Sequence, residues 1–306
     1  MKKIYVLFCV IGLFLSYQAD AQQNPQYTQY MYNMNVINPA YAGSKESLSV
    51  GMLYREQWQG IDGAPTTGTF HAHTPIGGNV GVGISAINDR IGPTDLTDLM
   101  ADISYTIDFQ NDWKLAFGVK VGATFNDIGL ANVGTQNPND PAFSTNVSET
   151  HGIFGAGFFL YNNNFYVGLS VPNFLESRHF TEQGIEWGNQ ARHFFGTAGY
   201  VWEVTDNLKI KPSVFARSVF SEVGNGDQFS WDANLNFLFM DRFELGASYR
   251  VDDAFSFLAG VKPTPWWHIG FAYDATTSDL NRPSYEVFMI FDIFFKKKTY
   301  LSPRYF

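Results

Sequence analysis

From Thr97 to Asn126 the chain alternates apolar and polar side chains almost without a break. Leu99, Ala101, Ile103, Tyr105, Ile107 and Phe109 alternate with Asp98, Met100, Asp102, Ser104, Thr106 and Asp108. After Gln110-Asn111-Asp112, the set Trp113, Leu115, Phe117, Val119, Val121, Ala123 and Phe125 alternates with Lys114, Ala116, Gly118, Lys120, Gly122 and Thr124. Side chains leave a strand on opposite faces with period two, so the pattern predicts a hairpin whose two arms share one apolar face. Each arm is about twice the usual strand of a soluble domain. It matches the roughly 9 to 11 tilted residues of a bilayer crossing. The apolar face therefore meets either a second sheet or lipid.

Targeting and composition narrow the choice. Met1-Lys2-Lys3, the apolar run from Ile4 to Leu15 and Ala19-Asp20-Ala21 form a secretory signal, residues 1–21, cleaved after Ala21. The single cysteine, Cys9, leaves with it, which excludes a disulfide framework and thiol catalysis in the mature chain. No linker divides what remains, so it is read as one domain. Aromatics are 17% and charged residues 16%, yet beyond the signal there is no uncharged apolar run of about 18 residues. Transmembrane helices are excluded and strands are not. A net charge of −9 argues against a nucleic-acid partner.

About fourteen strand candidates follow from Ser47 to Phe295, and their connections differ by parity. One set is tight: Pro75 to Asn79, Gln110 to Asp112, Asn162 to Asn164, Val204 to Asn207, Asp241-Arg242 and Pro263 to Pro265. The other includes Glu56 to Gly68, Asp89 to Thr97, Asp127 to Thr150, Pro172 to Ala191, Phe220 to Asp227 and Thr276 to Ser284, with only Asp252-Asp253 short. A soluble Greek-key sandwich gives no such segregation. An all-β, transmembrane, antiparallel up-and-down barrel of about 14 strands does, with short turns in the periplasm and long loops outside. Phe109, Trp113, Trp202, Trp266 and Trp267 at the short-turn side, and Trp231 at the other, read as interfacial girdles. The domain plan is a signal (1–21), an amino-terminal segment (22–46), the barrel (47–295) and a tail (296–306), with both termini periplasmic. In the segment, Tyr27, Tyr30, Met31, Met34 and Ile37 recur at three and four, which predicts a short amphipathic helix ended by Asn38-Pro39 and packed in or under the barrel. The polar face carries both signs, among them Asp98, Asp102, Lys120, Lys211, Arg217, Asp232, Glu244, Arg250, Asp274 and Glu286. Mixed signs suit a cross-linked or filled lumen better than an ion-selective pore.

Tyr30-Met31-Tyr32-Asn33, Asn38-Pro39-Ala40-Tyr41-Ala42-Gly43, Tyr54-Arg55-Glu56-Gln57-Trp58, Ser170-Val171-Pro172-Asn173-Phe174, Arg192-His193-Phe194-Phe195, Gly199-Tyr200 and the ending Ser302-Pro303-Arg304-Tyr305-Phe306 together resemble the PorP/SprF family of Bacteroidetes outer-membrane proteins. The resemblance covers essentially the whole mature chain. It implies an outer-membrane barrel of the type IX secretion system, with other secretion components and a secreted cargo, such as a gliding-motility adhesin, as partners. It carries over no catalytic residue and does not identify the cargo.

Candidate chemistry is sparse. His71 and His73 share a strand face, but no third metal ligand stands at a fixed spacing. His268 and Asp274 fall on the polar face, where lumen hydrogen bonding accounts for them. Gly77-Gly78 with Gly81 and Gly83 lacks the lysine and the helix of a phosphate loop. No catalytic set, cofactor or metal is expected. Partner contacts are expected on the long loops, at Phe143, Phe174, Arg178, Phe180 and Trp187, and at the terminal Arg304, Tyr305 and Phe306, because aromatics and arginine most often anchor interfaces. The function read from these features is non-enzymatic: a barrel in outer-membrane lipid that receives or anchors a secreted surface protein. The alternatives are a channel for hydrophobic solutes with an amino-terminal plug, and a rim enzyme acting on lipid or peptide.

Overall fold

A strand with one apolar and one polar row is stable in a bilayer only if its backbone is fully paired, because unpaired N–H and C=O groups cost several kcal/mol each in hydrocarbon. The computed structural model describes residues 26–109, 112–132, 145–175, 181–182, 185–186, 192–220, 228–277 and 282–294. Fourteen antiparallel strands close into a barrel. They are β1 (Leu48–Glu56), β2 (Thr66–Gly77), β3 (Val80–Ile91), β4 (Thr94–Asp108), β5 (Lys114–Ile128), β6 (Val147–Tyr161), β7 (Phe165–Val171), β8 (Arg192–Tyr200), β9 (Leu208–Phe220), β10 (Gln228–Phe239), β11 (Phe243–Arg250), β12 (Ala254–Thr264), β13 (Trp267–Thr276) and β14 (Ser284–Ile293). Each pairs with its sequence neighbours, and β1 pairs with β14 from Leu48↔Ile293 to Glu56↔Tyr285, which closes the ring. A short further strand, Trp202–Thr205, pairs with the start of β9, and Thr181–Glu182 with Ile185–Glu186 forms a separate ribbon. Among the described residues no helix is long and apolar enough to cross a membrane.

The expected hairpin is β4–β5, paired from Thr94↔Ile128 to Asp108↔Lys114. Its apolar row points out, with Leu99, Ile103, Tyr105, Phe117 and Val121 exposed, while Asp102, Ser104, Lys120 and Thr124 are buried inside. At one end the connections are tight: Gly78 and Asn79 carry φ of 59° and 66°, and Met240 and Asp241 carry 52° and 55°, the left-handed pairs of hairpin turns. Exposed Phe109, Trp202, Phe243, Trp266 and Trp267 ring that end. Trp231 packs on Tyr249 at the other, with ring centroids 5.8 Å apart.

One expected long loop is not one. β3 runs on to Ile91 and β4 begins at Thr94, leaving only Gly92-Pro93 between Asp89 and Thr97 as a turn. The extra pairs are held by polar contacts: Asn88 donates to Asp95 (2.6 Å) and Thr97 (2.9 Å), and Arg90 meets Asp95 at 2.7 Å. Polar side chains thus carry the ladder past the apolar band, which alternation of apolar residues alone does not report.

The amino-terminal segment lies inside the ring. It contacts β1 through Arg55, β5 through Lys120, β9 through Ser213, β11 through Glu244 and β14 through Glu286, that is, strands on every side of the lumen. It is not one amphipathic helix. Tyr30–Tyr32 and Pro39–Tyr41 are 3₁₀ turns, and Met34–Ile37 is a single α-helical turn. An amphipathic helix needs a face toward water, whereas here Thr28, Gln29, Asn33, Asn35 and Asn38 are as buried as the apolar residues between them. Their polar groups bond to the lumen wall instead. Asn38-Pro39 ends the helical turn as expected: Asn38 is extended and its Oδ1 accepts from the Ala40 amide at 3.0 Å.

Candidate functional site

The segment meets two unlike walls. Toward β3–β7 the segment presses close on wall glycines. A Cβ at Gly81 would overlap the Ala42 carbonyl, one at Gly118 the Ala40 backbone, and one at Gly157 the Asn38 side chain. Ser104 Oγ donates to Ala42 O (2.6 Å), Ser170 Oγ to Ile37 O (2.9 Å) and Asn38 Nδ2 to Phe158 O (2.9 Å). One ion pair is set into this wall: Lys120 meets Asp102 at 3.0 Å, and Asp102 also accepts from Asn35.

Toward β9–β14 and β1, contact runs through charge. Arg55 meets Asp274 at 2.6 Å and Glu286 at 3.3 Å, and Glu286 accepts the backbone amides of Thr28 (2.9 Å) and Gln29 (2.7 Å). Thr28 Oγ1 donates to Asp274 at 2.8 Å. Arg250 grips Asp232 through two nitrogens and donates to the Tyr27 carbonyl at 3.1 Å. Lower in the lumen Lys211 meets Glu244 at 3.0 Å, and the Tyr32 hydroxyl donates to the same carboxylate at 2.5 Å. Burial, then the neighbouring Glu244 charge, pushes the Tyr32 phenol well above its ordinary range, which keeps it a donor. Its ring stacks on Phe288 at 4.1 Å. Nearest the short-turn end Lys45 meets Asp292 at 3.4 Å. The segment therefore runs the length of the lumen, from Tyr27 beside the end of β11 to Lys45 beside the start of β1.

Buried charges require partners, since an ion left alone in a low-dielectric interior costs several kcal/mol. The mixed-sign inward set supplies them. The exceptions are Arg217, buried without an ion pair among the described residues, and Asp108 with Lys114, a pair at 3.6 Å on the exposed short-turn rim, where it contributes little. His71 and His73 both contact the segment: His71 lies 3.2 Å from Asn33 Oδ1, and the Gly43 amide donates to His73 Nδ1 at 3.2 Å. Among the described residues no group of three metal-ligating side chains forms. Asp274 takes the lumen hydrogen-bonding role expected of it, and the His268 ring packs edge-on to Tyr32 at 4.8 Å.

Of the expected partner contacts, Phe174 is described. It lies just past β7 at the long-loop end, is exposed, donates its amide to Phe154 O at 2.7 Å and tilts its ring on Phe154 at 6.2 Å. Phe143, Arg178, Phe180, Trp187, Arg304, Tyr305 and Phe306 lie outside the described residues, as do the expected signal and tail. A feature that the alternation did not mark is a cavity above the helical turn, lined by Tyr27, Val36, Ile37, Ile153, Phe215 and Arg217 among others. The inward Phe215, a large ring in the otherwise polar row of Lys211, Ser213 and Arg217, was the available signal.

A closed, even-stranded barrel with an apolar outer band and aromatic rims is an outer-membrane type of protein, here with its lumen occupied by its own amino-terminal chain. The chain belongs to the PorP/SprF family of type IX secretion system membrane proteins, whose family model matches residues 19–292. Among solved structures it is similar to a Pseudomonas aeruginosa FadL homologue, at 13% identity over 90% of this chain and 96% of that one, with a TM-score of 0.48. It is also similar to Omp33 of Acinetobacter baumannii (12% identity, 82% and 100% covered, TM-score 0.47). A third is the toluene transporter TbuX of Ralstonia pickettii (10% identity, 90% and 94% covered, TM-score 0.47). Comparison with curated protein sequences finds no match.

Proposed function

We propose that this barrel is a non-enzymatic docking component of the type IX secretion system, held in outer-membrane lipid, which receives or anchors a secreted surface protein at its long-loop end. The observation that carries the reading is the filled lumen: with Arg55, Lys120, Lys211 and Arg250 committed to ion pairs around the segment, the interior favours a rigid scaffold over an open pore. Short turns then face the periplasm and the long connections face outward. Rigid walls with long outward loops are the usual layout of a binding surface. Phe174, Phe180 and Trp187 are the side chains assigned to the contact, with Phe143 and Arg178 beside them and Arg304, Tyr305 and Phe306 as a separate periplasmic candidate. The test is to replace Phe174, Phe180 and Trp187 together by Ala in the native host and to measure barrel abundance with surface display of the cargo that co-purifies with the unaltered barrel. Lost display at normal abundance supports docking; unchanged display moves the contact to the lumen or the periplasmic side. A second reading, passage of hydrophobic solutes, is favoured by the apolar cavity at the same end.

A further inference from the structure

Above the helical turn, at the long-loop end of the lumen, the wall draws back from the segment. The space left there, together with the open solvent at its mouth, is about 630 Å³. Its sides are apolar: Val36 and Ile37 below, with Ile87, Ile153, Phe195 and Phe215 around them. Three of its lining side chains carry hydrogen-bond donors with no partner among the described residues. Arg217, 8% exposed, makes no ion pair or hydrogen bond among the described residues, while every other arginine within the lumen wall is committed. Asn173 turns its Oδ1 to the amides of Phe154 and Leu175, which fixes the side chain, and leaves its buried Nδ2 unpaired. The buried Tyr27 hydroxyl is likewise without a partner.

An unmet neutral donor costs about 1–3 kcal/mol and a charged one more, so the Arg217 guanidinium beside an apolar space specifies the ligand that relieves it. It carries an acceptor-rich anion, for the guanidinium, on an apolar body, for the Ile, Val and Phe walls. Asp98 also lines the cavity, but its carboxylate accepts from Thr124 Oγ1 at 2.6 Å, and it disfavours a ligand with a second anionic group. We propose that this cavity binds a small monocarboxylate with an apolar tail, its carboxylate on Arg217 and its tail against Val36, Ile37, Ile153 and Phe215. The site is independent of the surface contact proposed above, because none of the outward loop aromatics contributes to it.

The probe is 4-phenylbutyrate, soluble enough to limit partition into detergent, titrated into the purified full-length mature barrel and followed by ligand-observed NMR and calorimetry. Saturable binding is expected, weakened at least tenfold for 4-phenylbutanol, which lacks the charge, and for butyrate, which lacks the ring. Arg217→Gln should weaken 4-phenylbutyrate at least tenfold and Arg217→Lys less, while Ile153→Trp, which fills the space, should abolish binding. Heat-modifiable gel migration of each variant verifies that the barrel is folded. A variant that fails this check is replaced by Phe215→Leu, which widens the apolar wall and should change the preference between 4-phenylbutyrate and decanoate. Absence of saturable binding to the folded barrel overturns the proposal. So does equal affinity for the acid and the alcohol, or for wild type and Arg217→Gln, since either outcome reduces the cavity to a hydrated void.

Discussion

The two walls around the amino-terminal segment hold it by opposite means. On β3–β7 the glycines Gly81 and Gly118 let backbone approach backbone and Gly157 admits the Asn38 side chain, and the contact is one of shape. On β9–β14 and β1 the contact is one of charge, with Arg55, Asp274, Glu286, Arg250, Lys211 and Glu244 bonded to the segment or to one another. Shape contacts are short-ranged and fail when volume is added. Charge contacts fail when one partner is removed, because the other stays buried. A wall of glycines fixes where the segment sits, and a wall of charges makes departure costly.

The largest effect should come from the charged wall. Glu286→Ala removes the acceptor of two backbone amides and one partner of Arg55, and should lower the unfolding free energy by about 3–5 kcal/mol. Denaturant titration followed by gel migration measures it. Adding Arg55→Met should restore part of the loss if the orphaned charge is its cause. Next, substitutions on the lipid side should not distinguish the walls. Val121→Arg, behind the glycine wall, and Phe271→Arg, behind the charged one, are both exposed mid-strand and should each cost roughly 2–4 kcal/mol in the same assay. A large asymmetry between them would place the bilayer elsewhere.

The glycine wall should respond to volume. Gly118→Val should cost about 1–3 kcal/mol and speed proteolysis between Tyr27 and Ala42. Gly196→Val, whose added Cβ finds its nearest neighbour, Leu169, at 3.6 Å, should leave cleavage unchanged. Equal cleavage in both variants would remove the distinction. The smallest effect is expected at Asn236, buried against the charged wall with its amide unpartnered among the described residues. Asn236→Leu should shift stability by less than about 1 kcal/mol, because no hydrogen bond is lost.

How much of this was legible beforehand depends on the range of the interaction. Alternation in β4–β5 and β10 set the outward and inward rows, since strand periodicity is local, and the segregation of short and long connections set the barrel. The mixed signs of Asp102, Lys120, Lys211 and Glu244 anticipated a cross-linked lumen, because opposite charges on one buried face need each other. The helix expected over Tyr27 to Ile37 broke into turns because its polar residues found a polar wall that no local pattern describes. Gly118 and Gly157 read as ordinary strand glycines, and only the fold shows the chain that presses on them. Arg217 looked like the other inward charges; that it makes no ion pair or hydrogen bond among the described residues is a fact of tertiary geometry.

The central claim is that the segment from Gln26 to Ala42 fills the lumen, and planar-bilayer conductance tests it most directly. The full mature chain should insert without stable single-channel steps, whereas a barrel from which Gln26 to Ala42 has been deleted, provided that it folds by gel migration, should conduct. Stable open-pore conductance from the full chain, unchanged by the deletion, would contradict the account.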